Sequence, residues 1–90
     1  MLDKVKELNE LRRKAKQMES DLSAEVIEVN FKGVTVKVSA NIDIIEITSN
    51  DRSDEDITSA VNKAVKEAQK IAAKKMRGQL GDLGLNLPGF

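Results

Sequence analysis

Two sets of basic residues hold most of the chemical potential of this chain. Lys63, Lys66, Lys70, Lys74 and Arg77 recur at spacings of three and four. On a helix they form one cationic stripe. Arg12, Arg13, Lys14 and Lys16 form a second cluster. Such charges can meet phosphates without reading bases. Lysine is a flexible point charge and makes weaker base-specific contacts than arginine. No aromatic residues interleave the basic ones, which argues against a platform for stacking single-stranded bases. No short turn joins two helices, so helix-turn-helix docking is not expected. From these residues alone, the plainer reading of the stripe is a solvated face kept for solubility.

The acids offer less. Asp51, Asp54, Glu55 and Asp56 gather in one place, but they lack the glycine and spacing of a calcium loop. A helix N-terminus favours acids in any case, so no metal site is expected. The chain has no histidine, cysteine, tyrosine or tryptophan. That removes the usual general base near neutral pH, the thiolate nucleophile and the commonest metal ligands. No serine stands in a GxSxG context. Gly81 and Gly84 are not followed by the lysine and hydroxyl of a phosphate loop. No enzyme, no cofactor and no small-molecule substrate is expected.

Fifteen basic and fifteen acidic residues give a formal net charge of zero. That is not the bulk excess of a typical nucleic-acid binder. The signs are segregated, however, and local field decides where a polyanion docks. The N-terminus is polar from Asp3 onward, so no signal peptide is expected. No apolar run approaches the roughly 20 residues needed to cross a bilayer, and no membrane partner is expected. The absence of cysteine fits a reducing cytosol.

The stripe needs a helix to display it, and residues 54–77 read as one. Ser53 is the N-cap, whose hydroxyl accepts from a free amide of the first turn. Asp54, Glu55 and Asp56 suit the positive end of the helix dipole, and Lys74, Lys75 and Arg77 the negative end. Gly78 is expected to supply the left-handed stop. Ile57, Ala60, Val61, Ala64, Val65, Ala68, Ile71, Ala72 and Met76 share the packing face. Within it Ala60, Ala64, Ala68 and Ala72 form a row small enough for a sheet or helix to approach closely.

The first cluster rides on another expected helix, residues 3–23. Val5, Leu8, Leu11, Ala15, Met18 and Leu22 make a narrow seam close to a heptad pattern. Such a seam suits pairing with another chain better than burial beneath a sheet. The alternative is an ordinary amphipathic helix covering its own domain. Between the helices, residues 25–48 read as a three-stranded antiparallel meander. Ile27, Val29 and Phe31 fall on one face of the first strand. Val34, Val36, Val38 and Ala40 point inward from the second, with Thr35, Lys37 and Ser39 outward. Asn41 marks the next reversal. In the third strand Ile42 and Ile44 fall on one face, and Ile45 and Ile47 on the other. Either a bulge shifts the register or both faces are covered. The second account is preferred, with one isoleucine set facing the helix and the other a partner subunit or the tail.

Residues 78–90 mix Leu80, Leu83, Leu85, Leu87 and Phe90 with glycines and one proline. They read as a tail docked on an apolar surface, the alternative being a frayed terminus. The whole is a single α+β domain, 1–90: helix, meander, helix, leucine- and glycine-rich tail. Only Phe31 and Phe90 are aromatic, and a core this small is marginal alone. A second copy is the expected source of stability. Leu8, Leu11, Met18, Ile42 and Ile44 are the candidate dimer contacts.

The order of elements, with Val36-Lys37-Val38, Asn41 at the following turn, Lys75-Met76 and the terminal Leu87-Pro88-Gly89-Phe90, resembles the YbaB/EbfC family of bacterial nucleoid-associated proteins. The resemblance spans nearly the full chain. It implies a tweezer-shaped homodimer that binds double-stranded DNA with limited sequence preference, in the bacterial cytoplasm on the nucleoid, compacting or organising the chromosome. The chain departs from the family at its turns. The first hairpin turn is reduced to Lys32-Gly33, Ile42 replaces the glycine after Asn41, and Thr48-Ser49 replaces an aspartate-proline.

No catalytic motif comes with the family. The candidate DNA contacts are therefore chosen on charge: Arg12, Arg13, Lys16, Lys63, Lys66, Lys70, Lys74 and Arg77. Against the architectural DNA binder stands a dimeric protein-protein adaptor with only indirect DNA association, which zero net charge modestly favours.

Overall fold

The computed structural model describes residues 2–82, with side chains described for 4–79. Helix α1 spans Leu2–Ala24, strands β1, β2 and β3 span Val26–Phe31, Val34–Ser39 and Ile44–Thr48, and helix α2 spans Asp54–Asp82. The fold is α+β, in the order helix, meander, helix. The sheet order is β1-β2-β3, antiparallel throughout.

The inward alternation of β2 sets the core. Val34, Val36 and Val38 are fully buried, and across the β1–β2 ladder they face Phe31, Val29 and Ile27. Helix α2 lies on this face. Ala60, Ala64 and Ala68 are fully buried against the valines, and Ala72 is half-buried. Small side chains let the helix sit close to the sheet, so the contact is made of many short-range dispersion contacts. No fully buried side chain among the described residues is larger than valine.

Local chemistry fixes the connections. The β1–β2 turn is Lys32-Gly33, with φ of 52° and 79°. Two successive left-handed residues are what a two-residue hairpin of type I′ requires. Gly33 is also hemmed in. A Cβ built there would stand 2.5 Å from Nε of Arg52. Asn50 ties the same loop down, its side-chain amide donating to the Gly33 carbonyl at 2.9 Å. Gly33→Ala is therefore expected to lower stability by about 1–2 kcal/mol, readable as a drop in the midpoint of thermal unfolding. An unchanged midpoint would mean that the turn does not require the left-handed conformation at residue 33. At the start of α2, the Asp56 amide donates to Ser53 Oγ at 3.2 Å, so Ser53 caps the helix as its residue type requires.

Three expectations are corrected. Gly78 does not stop α2, which continues to Asp82. Its φ is not positive, and tertiary ties hold the extra turns. Lys75 pairs with Glu25 at 3.8 Å, and Gln79 donates to Asp21 at 3.3 Å. These ties offset the roughly 1 kcal/mol that a helical glycine costs. In β3, the bulge is the right account. Val36 faces Ile47 and Lys37 faces Glu46, but Val38 faces Ile44, so Ile45 is the extra residue. Ile44 and Ile47 therefore lie on the same side as Val38 and Val36. All five β3 residues are nonetheless exposed, because α2 packs over β1 and β2. Ser39, expected outward, is buried. Its hydroxyl bonds to the Asn41 side chain and accepts from the Asp43 amide, so the turn after β2 folds back over it.

Among the described residues, helix α1 is anchored at its C-terminal end. The Ala40 amide donates to the carbonyls of Leu22 and Glu25. Met18 and Leu22 are half-buried, whereas Val5, Leu8 and Leu11 are exposed. The result is elongated, 60 × 25 × 15 Å. Residues 83–90, and with them the expected docking of the tail through Leu83, Leu85, Leu87 and Phe90, lie outside the described residues, as does the side chain of Leu80.

Candidate nucleic-acid interface

The buried alanine row fixes the rotation of α2 about its axis, and that rotation turns the lysine stripe outward. Lys63, Lys66, Lys70, Lys74 and Arg77 are all exposed. From Lys63 to Arg77 the stripe runs about 21 Å along the helix at 1.5 Å per residue. That matches about six base-pair steps of duplex. A linear row of exposed ammonium groups on a rigid helix can follow a phosphate backbone without penetrating a groove.

The members differ in their surroundings. Lys63 stands over the Phe31 ring, its Nζ 5.3 Å from the centroid. Lys70 lies 3.4 Å from Glu67 one turn earlier. An ion pair this exposed contributes little to stability and yields readily to a phosphate. Lys66, Lys74 and Arg77 have no carboxylate within 4.0 Å among the described residues. Lys75, one position off the stripe, is engaged with Glu25 instead.

Arg12, Arg13, Lys14 and Lys16 are exposed on α1. They lie between one and three turns before Asp21, where α1 meets α2. The described contacts do not bring this cluster onto the α2 stripe. The candidate dimer contacts also fall in two places. Leu8 and Leu11 are exposed on α1 with Met18 half-buried below them, while Ile42 and Ile44 are exposed at the β3 edge. Ile45 and Ile47 extend the second group. Ile42 has φ of 68°, a strained conformation for a β-branched residue. Sequence reasoning missed Lys32 and Arg52. Lys32 reaches the Phe31 ring that Lys63 also covers, and Arg52 lies across the turn at Gly33, because the hairpin turn and the β3–α2 loop meet in space.

Among the described residues no helix is long and apolar enough to cross a membrane, and no group of acidic residues is placed to hold a metal ion.

No protein-family model matches the chain. Two relatives do. A nucleoid-associated protein of Gloeothece citriformis is 32% identical, over 99% of this chain and 91% of its own length. A nucleoid-associated protein of Acidobacterium capsulatum is 31% identical, over 98% of this chain and 89% of its own length. Similarity at this level over almost the whole of each protein means that the chain belongs to the family of nucleoid-associated proteins.

Proposed function

We propose that this protein binds duplex DNA directly, as a homodimer with little sequence preference, and so organises the chromosome on the nucleoid in the bacterial cytoplasm. The observation that carries the proposal is the outward cationic stripe of α2, Lys63 to Arg77, on a helix locked to the sheet by buried alanines. The names of the two relatives support it. Within the family, the Val36-Lys37-Val38, Lys75-Met76 and Leu87-Pro88-Gly89-Phe90 pieces favour the YbaB/EbfC group. The protein works by contact and carries out no catalysis.

Two features support the dimer. Many large apolar side chains lie outside: Leu8, Leu11, Ile42, Ile44, Ile45 and Ile47 are exposed, while the fully buried ones among the described residues stop at valine. A chain of 90 residues has little core to spare, and covering these residues with a second copy recovers about 25 cal/mol for each Å² removed from water. Pairing also doubles the phosphate contacts.

The exposed β3 isoleucines equally favour the second reading, an adaptor that holds a partner protein and meets DNA only through it. Purified protein decides between them. Light scattering is expected to give twice the chain mass at micromolar concentration. Two unrelated duplexes are expected to bind with affinities within a few fold of each other. No binding by either duplex at low salt would point to the adaptor.

A further inference from the structure

We propose that the tip of the β1–β2 hairpin is a second phosphate-contact site, formed by Lys32, Arg52 and Lys63, which extends the α2 stripe past its first lysine and takes the backbone of the same duplex. The site holds only if the chain binds duplex DNA as proposed above.

Three separate segments supply the three cations: the hairpin turn, the loop before α2, and α2 itself. Lys32 and Lys63 share one aromatic ring, with their Nζ atoms 5.7 and 5.3 Å from the Phe31 centroid. The ring is half-buried, so it fixes both amines against the sheet while their outer sides stay solvated. Arg52 lies across the hairpin turn, its Nη2 2.8 Å from where a Cβ of Gly33 would stand. The Asn50 amide bond to the Gly33 carbonyl holds this loop to the turn, which fixes Arg52 relative to Lys32.

Like charges brought together repel unless an anion joins them. Among the described residues no carboxylate lies within 4.0 Å of any of the three. Arg52 stands beside the acidic stretch Asp51, Asp54, Glu55 and Asp56, so Lys32 and Lys63 carry most of the net positive charge at the tip. The residue choice at the turn points the same way. The first position of a two-residue type I′ turn favours asparagine, aspartate or glycine. This chain places lysine there, at φ 52°. A residue that breaks a local rule points to a functional position, and beyond its contact with the Phe31 ring what lysine adds is charge. The ligand that fits a set of fixed cations continuous with a longer cationic row is a polyanion with regularly spaced charges. A duplex backbone supplies that; an isolated anion would meet only the tip.

The test is the salt dependence of duplex binding by the full chain carrying Lys32→Asn with Lys63→Gln. Asparagine suits the turn, so the fold is expected to persist, with an unfolding midpoint at or above the parent's. On a duplex of about 30 base pairs, affinity is expected to fall by about tenfold. The slope of log K against log salt is expected to shrink by about 2 per engaged protomer. Lys32→Asn alone is expected to remove about 1, and Lys32→Arg, which keeps the charge, to bind like the parent. If the parent binds and the double variant matches it in affinity and slope, the tip site is wrong while direct DNA binding stands. If the parent does not bind, the duplex-binding proposal itself falls, and the tip site with it.

Discussion

Lys70→Glu, Lys74→Glu and Arg77→Glu together are expected to weaken duplex binding by on the order of 100-fold or more. Each change removes a cation from beside a phosphate and puts a like charge in its place, and such juxtapositions cost several kcal/mol in sum. The slope of log K against log salt should also shrink by about 0.9 for each phosphate that is no longer neutralised. All three side chains are exposed. The only ion pair that the described residues place among them is Lys70 with Glu67, at the surface. The fold should therefore be unaffected, and far-UV circular dichroism should match the parent. Triple-variant binding equal to the parent's would exclude the C-terminal half of the α2 stripe and leave Lys63 and Lys66, the hairpin tip, and Arg12, Arg13 and Lys16 of α1 as the remaining candidates.

The second large effect concerns the scaffold. Ala64→Leu is expected to destabilise the protein by about 1–3 kcal/mol. Ala64 is fully buried midway along the row that packs on Val34, Val36 and Val38. Three added carbons have no space there, and α2 must lift from the sheet or the valines must leave their rotamers. For a domain of this size each kcal/mol is worth about 4–8 °C in the unfolding midpoint. Leucine at the exposed Gln69, five residues on, should stay within about 0.5 kcal/mol of the parent. If Ala64→Leu melted like the parent, the helix would not be seated on the sheet by its alanine row, and the outward turn of the lysine stripe would lose its cause.

Much of this scaffold is legible in the residues themselves, and the reason is periodicity. Val34, Val36 and Val38 alternate with polar residues, which suits only a half-buried strand. Ala60, Ala64 and Ala68 repeat every four, which suits only a helix packed closely along one line. Ser53 followed by three acids suits only a helix start. Where physics beyond the local pattern decides, the residues mislead. The two isoleucine pairs of β3 look the same whether the strand is bulged or covered on both faces, and only the pairing of Val38 with Ile44 settles it. Gly78 carries a stop signal, yet Asp21 and Glu25, on the far side of the meander in the chain, hold the helix through it. Ser39 obeys the strand period but is buried by the turn that follows it.

The candidate interface shows the same division. The α2 stripe follows from spacing alone, since one helix carries all its members. The hairpin tip does not, because Lys32, Arg52 and Lys63 are separated by 20 and 11 positions in the chain, and what relates them is the Asn50 bond across the turn and the shared Phe31 ring. The exposure of Ile45 and Ile47 is likewise hidden from the chain, because it depends on α2 packing over β1 and β2 and stopping short of β3. A pattern within one element can be read along the chain; a cluster built by three elements must be seen in space.

The most direct measurement is a binding curve for the purified full chain on one short duplex, repeated from about 50 to 200 mM salt. Five cations line the α2 stripe, so a slope of log K against log salt of about −4 or steeper is expected. A flat slope, or no complex at about 50 mM salt with tens of micromolar protein, would contradict direct phosphate contact through α2.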